Sequence, residues 1–515
     1  MNYDVTSSTE PVLLPKAVRF VKKKQLPFIE YRYSITPSSG DTTYSAGSQI
    51  VYQPKLSKNT FKCVYGPASF HASCITMTAT NGAYIDGISN CVINQCVEIG
   101  QDTVSDFRNS NAFINLQLDF TVDADIRKSF WSFFGGAPQT QTNLITTAGT
   151  SATATTIANL QTYLASNAAL ATQMRTICGL NVANSNAGAD GIADMMWALA
   201  QQMNRGNLTQ NLAIGDYIAT TGTGFYAQLI PGSVIGALQT RLFPLSEVNN
   251  GYSLTFNLES VANAFIGDQT AFTLSKNRLH LCVIEFNEAL SSLMRSAFQN
   301  VFTIPTSGIT NVSTQFTGVT SVTWQVPISL TNAKSIYFVF RHAAQFAAGY
   351  ATQSQRVKIK ASKYQLQIGS RTLPANRWVE MDGSGVNNGD GLCDVESFME
   401  TSKAFGNTIS NNAMTGTVSY KTYNTNIDSA AAATKYTPGH FCIAYNLDGI
   451  IEQTDEYRAC SQLESNNTFL TVTFYASTAT AVYIDCYVLY EMDLVIVDGA
   501  LTVQNKLNAF SSGIP

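Results

Sequence analysis

The sequence predicts an all-β fold of two antiparallel β-sandwiches in tandem, and three observations lead to it. Short segments that alternate apolar and polar residues, as half-buried strands do, recur on both sides of the middle of the chain. Between these two runs, residues 280–298 change from a strand pattern to a helical one. Long polar segments interrupt both runs, which favours Greek-key or jelly-roll connections over a meander. A chain of 515 residues is also too long for one hydrophobic core.

The first β-rich run begins near Phe28, after an irregular segment, residues 1–27, that is predicted to form an N-terminal arm. The alternation in 116–122 predicts a half-buried strand, and so does the alternation in 253–258. Further strand-like segments are FIEYRYSI, SQIVYQP, FKCVYG and SCITMTAT. These segments place the first sandwich within residues 28–287.

An insertion at about 138–215 interrupts the first run. It opens with the low-complexity stretch TTAGTSATATT, which is typical of a loop. Apolar residues then recur at helical spacing within 157–164 and again within 192–203, which predicts two helices. Two interpretations fit: a small helical subdomain that caps one end of the sheets, or a binding site for another component.

The junction between the two runs is predicted to be a strand that continues into a short helix within 288–300. Asn287 occupies the N-cap position and Glu288 lies in the first turn, where a carboxylate is favourable. The apolar residues of this helix recur at helical spacing and are expected to be buried between the two sandwiches: Leu290, Leu293 and Met294. Such a helix would fix the angle between the sandwiches, as a flexible linker could not.

The second β-rich run occupies residues 301–500, and residues 501–515 are predicted to be a C-terminal tail. Residues 380–436 are rich in Gly, Asn, Ser and Ala and are predicted to be mostly loop, with one short helix near Val395–Lys403. The predicted strands are VTWQVPISL, SIYFVF, YQLQIGS, HFCIAYNL, FLTVTFYA and VYIDCYVLYEMDLVIV.

Charge is scarce and slightly acidic overall. Charged residues make up 13% of the chain, about half the usual share, which suits a protein that buries much of its surface against copies of itself. The net charge of −4 excludes a broad basic surface for nucleic acid. The exception is a basic cluster in the arm, which is either a solvated segment or one that faces a polyanion: Lys16, Arg19, Lys22, Lys23 and Lys24.

The sequence predicts neither secretion nor a membrane span. The first residues lack the apolar core of a signal peptide, and no run of 18 apolar residues occurs. The ten cysteines are scattered and form no CxxC pair, which predicts free, mostly buried thiols in a reducing compartment.

The motifs of the common enzyme classes are absent, so we predict no catalytic, cofactor-binding or metal-binding residues. The four histidines have no zinc-ligand spacing, and no GxSxG, GxxxxGK[ST] or strand-linked GxGxxG motif occurs. His342 follows Arg341 at a strand end, and the pair is predicted to be structural or interfacial. One acidic segment, 382–396, is either a solvated loop or a site for a hard cation, although its spacing departs from that of an EF-hand.

Several stretches resemble the double jelly-roll major capsid proteins of DNA viruses, the group that includes nucleocytoplasmic large DNA viruses, virophages and polinton-like viruses. The resemblance covers about residues 28–500 and rests on the order and spacing of these stretches around the central strand and helix. The stretches are LIPGSVIGALQ (229–239), residues 280–298, VTWQVPISLTNAKSIYFVF (322–340), LQIGSRTLP (366–374) and PGHFCIAYNLDG (438–449). The long insertion and the low charge make the smaller polinton-like and virophage-type members the closer match.

The resemblance implies a fold of two tandem antiparallel jelly-roll β-sandwiches, a double jelly roll, with a helical insertion in the first and a short helix at the junction. It implies a structural protein without enzymatic activity: a homotrimer that forms pseudo-hexameric capsomers of an icosahedral shell around DNA. The expected partners are neighbouring capsomers, penton proteins and minor capsid or cement proteins.

The resemblance also places the parts of the chain. It puts the basic arm on the inner side, toward the genome or an inner membrane, and the insertion on the outside or between capsomers. The expected location is the virion, after assembly in the host cytoplasm or nucleus. The alternative from another class is a cytosolic, lectin-like protein of two sandwiches that binds through its 380–440 loop.

Overall fold

The structure is a computed structural model that describes residues 28–122, 221–342 and 356–504, with gaps inside these ranges. The predicted arm and the insertion at 138–215 lie outside the described residues. The gaps are residues 41, 85–90, 100–101, 230–241, 250, 265, 298–300, 357, 359–360, 376, 382–393, 407–417, 419–422, 424–440, 448–462, 464–466 and 476–480.

Two antiparallel sheets are built from the first half of the chain. One has the order β1-β10-β4-β7, with β2 and β8 at its margins, and the other has the order β3-β9-β5-β6. Their strands are β1 (Phe28–Ile35), β2 (Tyr44–Ser45), β3 (Gln49–Tyr52), β4 (Lys62–Tyr84), β5 (Val92–Ile99), β6 (Asp102–Phe107), β7 (Thr221–Leu229), β8 (Leu242–Phe243), β9 (Tyr252–Leu258) and β10 (Ile266–Phe286).

Two further sheets are built from the second half. One has the order β11-β19-β13-β17, with β20 beside β19, and the other has the order β12-β18-β14-β15, with β16 beside β14. Their strands are β11 (Val301–Phe316), β12 (Ser321–Val326), β13 (Ala333–His342), β14 (Ala361–Ile368), β15 (Arg371–Leu373), β16 (Val379–Glu380), β17 (Cys442–Asn446), β18 (Thr468–Phe474), β19 (Val482–Val497) and β20 (Ala500–Gln504). β20 thus extends into the segment that was predicted to be a tail.

Both halves have the same strand topology. When the short strands β2, β8, β16 and β20 are set aside, eight main strands remain among the described residues of each half. In each, one sheet has the order first, eighth, third and sixth strand, and the other has the order second, seventh, fourth and fifth. This is the jelly-roll arrangement of two Greek keys. The predicted fold class, two tandem jelly rolls, is therefore confirmed.

Helices lie in the connections between the strands. Within the described ranges they are α1 (Ser110–Thr121), α2 (Val261–Ala264), α3 (Glu288–Ala297) and α4 (Asp394–Ala404), and a 3₁₀ turn covers Leu245–Glu247. α4 confirms the helix predicted near 395–403. α1 follows the fifth main strand of the first roll, and α4 lies between the fifth and sixth of the second. The two long polar segments of the sequence therefore occupy equivalent connections.

One predicted strand is wrong: residues 116–121 belong to the helix α1. Because the helix is buried on several sides, its sequence lacks the exposed polar face that would reveal a helical period of 3.6 residues. A polar stripe at i, i+4 and i+8 is itself buried, because Asn111, Asn115 and Asp119 are all inaccessible to solvent. What remains visible in the sequence is the alternation of Leu116, Leu118 and Phe120, which imitates a strand.

Candidate functional site at the junction of the two rolls

Helix α3 begins where the sequence predicts. The side-chain oxygen of Asn287 accepts a hydrogen bond from the backbone N–H of Leu290 at 2.8 Å, which caps the helix. Glu288 lies in the first turn and Arg295 in the last, so both charges favour the helix dipole. The strand β10 therefore runs directly into a well-defined short helix.

The contacts of α3 that we identify are with the first roll. Leu290 and Met294 are partly buried against the core of that roll. The Ser291 hydroxyl accepts the backbone N–H of Phe61 at 2.9 Å. Arg295 binds Glu247 through two hydrogen bonds, of 2.7 and 3.1 Å. These contacts fasten the helix to the first roll.

The expected burial of Leu293 is wrong. Its side chain is 62% exposed, because the helix contacts the sandwich along the stripe that contains Leu290, Ser291, Met294 and Arg295. Leu293 lies on the other side of the helix. The spacing of the apolar residues predicted that Leu293 would lie on the contacting face. That face instead includes two polar residues, Ser291 and Arg295.

The contact between the rolls is made instead by α1, which belongs to the first roll and packs in the core of the second. The ring of Phe113 lies 4.9 Å from that of Tyr487 and 5.2 Å from that of Tyr337. The ring of Phe120 stacks on that of Phe405, just after α4, at 4.7 Å. These aromatic contacts bury apolar area and add a directional term to it.

A buried ion pair also joins α1 to the second half. Arg356 donates to the carboxylate of Asp119 at 2.9 Å and to the carbonyl of Ala112 at 3.3 Å. Both charged side chains are fully inaccessible to solvent. The hydroxyl of Tyr487 donates to the carbonyl of Asn109, just before the helix, at 3.1 Å. A buried pair of this kind favours one docking geometry, because either charge alone would be costly to bury.

The exchange is reciprocal, since the second half also contributes to the core of the first roll. The ends of β11 and β19, together with β20, supply these buried side chains: Phe302, Ile304, Tyr490, Met492, Leu494, Ile496 and Leu501. The turn between β19 and β20 is tied to the first half by Asn249. Its backbone N–H donates to the carbonyl of Gly499 at 2.7 Å, and its side-chain amide donates to that of Asp498 at 2.9 Å. Each roll therefore completes the core of the other.

The titratable groups of the described cores are structural. Arg341 forms a buried ion pair with Asp485, in agreement with the structural role predicted for the strand end. Burial raises the pKa of the thiols of Cys63 and Cys442 to about 12, so both stay protonated. The described cysteines are free thiols, as predicted.

His71 lies in the first core and is expected to make stability depend on pH. Burial, with a smaller effect of His280, lowers its pKa to about 3, and its ring lies 4.9 Å from that of Phe256. In the unfolded chain His71 is protonated below about pH 6.5, whereas in the folded chain it is protonated only below about pH 3. Acidification between these two pKa values therefore favours unfolding. We expect His71 alone to contribute a fall of about 1.4 kcal/mol in the free energy of unfolding between pH 7.5 and 5.5.

Urea unfolding at the two pH values checks this prediction. In His71→Asn the part of the pH dependence that comes from this residue should disappear, whatever the variant does to stability at pH 7.5. An unchanged pH dependence in His71→Asn would contradict the prediction.

The predicted acidic segment is only partly described. Asp382 and Asp390 lie outside the described residues, and Glu396 forms an ion pair with Arg377 at 2.8 Å. Within the described ranges, no group of three or more His, Cys, Asp or Glu side chains could hold a metal ion. No helix in that part of the chain is long and apolar enough to cross a membrane.

Comparisons with known proteins agree with the fold. No model of a protein family matches the sequence. No curated protein matches it either. The structure is similar to the crystal structure of VP54 of PBCV-1, which was fitted into a cryo-EM reconstruction of the virophage Sputnik: the TM-score is 0.54, the identity 10%, and the match covers 95% of this chain and 99% of that one.

Two capsid structures give similar values. A quasi-atomic model of the PBCV-1 virus capsid matches with a TM-score of 0.51 and 9% identity, over 95% of this chain and 99% of that one. The cryo-EM structure of the Sputnik virophage matches with a TM-score of 0.50 and 11% identity, over 100% of this chain and 96% of that one. At such identities the likeness concerns the fold, and it confirms the double jelly-roll resemblance at that level.

Proposed function

We propose that the chain is a viral major capsid protein without enzymatic activity. The observation that carries this proposal is the likeness in fold to capsid structures over almost the whole of both chains, with 99% and 96% of the compared chains covered. The two matched structures are a PBCV-1 virus capsid and the Sputnik virophage. The match includes both rolls, in the same order. It therefore supports a common function with the matched capsid proteins more strongly than a match to one sandwich would.

The proposed assembly is a homotrimer. Three copies of a block with two similar sandwiches place six sandwiches around a three-fold axis, which gives a pseudo-hexameric capsomer through a closed interface. The reciprocal packing of the rolls supports this arrangement. Because each roll contributes to the core of the other, their relative orientation should stay fixed when neighbouring subunits bind. Only 13% of the residues are charged, so the sides of the subunits can be buried against each other without burying unpaired charges.

We propose that these capsomers tile an icosahedral shell around a DNA genome, and that the virion is where the chain resides after assembly in the host cytoplasm or nucleus. Its partners would be neighbouring capsomers, penton proteins and minor capsid or cement proteins. The basic arm would face the genome or an inner membrane, since its cations suit a polyanionic surface.

The mass of the purified chain in dilute solution tests the proposal. We expect a stable particle of three chain masses whose proportion does not change on moderate dilution. A strict monomer that binds glycans would overturn the proposal in favour of a cytosolic, lectin-like protein of two sandwiches.

Deleting residues 1–25 tests the role of the arm. We expect trimers to form as before, because the described sandwiches begin at Phe28, while particle closure or genome packaging is impaired. A full-length variant with glutamine at the five basic positions separates charge from length and should reproduce the packaging defect. An unchanged yield of closed, DNA-containing particles from both variants would count against a role for the arm.

A further inference from the structure

One end of the molecule presents apolar side chains that the described structure leaves uncovered. Five of the seven large apolar side chains described as exposed come from the strand ends and the helix at the junction, and we call them the apolar rim. They are Phe28 (49% exposed), Ile29 (68%), Leu293 (62%), Val301 (42%) and Val497 (42%). Isolated exposed apolar residues are ordinary, but a group of them marks a contact surface.

Contacts made by Phe61 bring the elements of the rim together. Its ring lies 6.0 Å from that of Phe286, the last residue of β10, and 5.5 Å from that of Phe302 in β11. Its backbone N–H donates to the Ser291 hydroxyl of α3. The end of β10, the start of β11 and the helix between them therefore all contact one residue, Phe61.

The rim residues are immediate neighbours of these contacts. In the antiparallel register, Phe28 is the partner of the last residue of β10. Val301 is the partner of Val497, and it immediately precedes the β11 phenylalanine that contacts Phe61. Leu293 lies on the side of α3 that faces away from the first roll. The rim residues therefore belong to strand ends and a helix that meet around Phe61.

Carboxylates accompany the rim. Glu30 follows Ile29, Asp498 follows Val497, and Glu288 begins the helix that carries Leu293; all three are exposed. Among the residues that the structure describes, none of these three carboxylates forms an ion pair. Two cations of the same region are already paired within the first roll, as Arg295–Glu247 and Lys62–Glu285. The rim is therefore flanked by three exposed carboxylates, with one exposed cation, Arg32, two residues beyond Glu30 in β1.

The chain itself contains a segment of complementary character, and that segment ends at the rim. Residues 12–24 precede Phe28, which is a rim residue, by only a few positions. The three residues 25–27 span about 10 Å when extended, so the segment begins within reach of the surface. Its apolar residues are Val12, Leu13, Leu14, Ala17, Val18, Phe20 and Val21, and they are interleaved with Lys16, Arg19, Lys22, Lys23 and Lys24.

We propose that residues 12–24 fold back onto the apolar rim of the same chain. Before the chain meets a polyanion, the apolar side chains cover the rim and the basic side chains lie near Glu30, Glu288 and Asp498. Docking in this way shields apolar surface on both partners from water and pairs opposite charges. Residues 12–24 of the arm would then lie against the junction of the rolls. This proposal depends on the rim and the arm alone and does not require that the chain builds a capsid.

Limited trypsin cleavage of the full chain tests the proposal, because the docked segment contains the trypsin sites Lys22, Lys23 and Lys24. We expect Leu293→Asp to speed cleavage at these sites about tenfold, the factor for a moderate loss of binding free energy. The matched control is Tyr475→Asp, an equally exposed residue (66%) outside the rim, which should cleave like the wild type.

Further variants keep the test independent of folding defects. Phe20→Asp in the arm should speed cleavage as Leu293→Asp does, and the double variant should add little, because both remove the same contact. Replacing the carboxylates with neutral isosteres, as Glu288→Gln with Asp498→Asn, should speed cleavage most at low salt. Leu293→Asp should lower the unfolding temperature only slightly, since neither sandwich uses this side chain in its core.

Three results would overturn the proposal. Equal cleavage rates in the wild type and Leu293→Asp would mean that the rim does not hold the arm. Protection that rises with protein concentration would assign the rim to the arm of a second copy. Protection that appears only with vesicles of anionic lipid would assign the arm to a membrane surface.

Discussion

Replacing Asp119 with alanine should destabilise the protein by about 3–5 kcal/mol, because it leaves the buried guanidinium of Arg356 without its carboxylate partner. The pair joins a helix of the first roll to the second half of the chain, so the loss should affect both rolls. Denaturant unfolding followed by far-UV circular dichroism measures the change. The midpoint should fall while the transition remains a single one.

A double variant distinguishes a lost ion pair from a general packing defect. Replacing both charged residues with apolar ones of similar size, as Asp119→Leu with Arg356→Met, removes the two charges together and should recover most of the stability. If Asp119→Ala costs less than about 1 kcal/mol, the pair is not buried between the rolls as the structure has it.

Phe113→Ala should cost a similar amount, about 3–5 kcal/mol, because a buried ring leaves a cavity that surrounding side chains fill only in part. Phe113 belongs to α1, yet its ring contacts are with Tyr487, Tyr337 and other rings of the second core, and with Phe107 at the end of β6. The expected result is a lower unfolding temperature for the whole molecule, measured by calorimetry.

Leu293→Ala is the control for this prediction. Leu293 also lies on a helix at the junction, but its exposure predicts a change within about 0.5 kcal/mol. Two separate unfolding transitions, of which Phe113→Ala shifts only one, would contradict the reciprocal packing of the rolls.

The strands could be predicted from the sequence wherever their pattern is local. FIEYRYSI and VYIDCYVLYEMDLVIV coincide with β1 and β19, and the alternation in 253–258 lies within β9. The cap at Asn287 was also predictable, because an N-cap and its helix are adjacent in sequence. The repetition of strand runs around a strand–helix junction then led to two jelly rolls.

The length of individual strands was less predictable. KCVYG, from the first of two predicted strands, and SCITMTAT, the second, are parts of one 23-residue strand, β4, although Gly66 and Pro67 interrupt the strand pattern. Irregular pairing with β10 accommodates this interruption, since the register shifts between His280 and Cys282. Such shifts let a long strand bend, and they leave no simple period in the sequence.

The contacts that join the rolls could not be predicted. Asp119 and Arg356 are separated by 237 positions, and neither has a neighbour pattern that marks it as one half of a pair. Phe113 and Tyr487 are ordinary aromatic residues in their own segments. The sequence predicted that α3 links the sandwiches, because this helix lies between them in the chain. The contacts that hold the rolls together belong instead to α1, β11 and β19.

This changes the role of the junction. α3 is a short connection that is fixed to the first roll, and the angle between the rolls is set by the exchange of core side chains. The exposed face of α3, with Leu293, is then free for another partner, for which we propose the N-terminal arm. A Leu293→Asp change should therefore act on that partner and leave the sandwiches intact.

Electron microscopy of the purified chain tests the proposed function most directly. Two-dimensional class averages of negatively stained particles should show blocks with three-fold symmetry and a pseudo-hexagonal outline, in which six sandwiches surround a central axis. Averages that show only single two-lobed particles, at concentrations at which the chain is folded, would contradict the assignment as a capsid subunit.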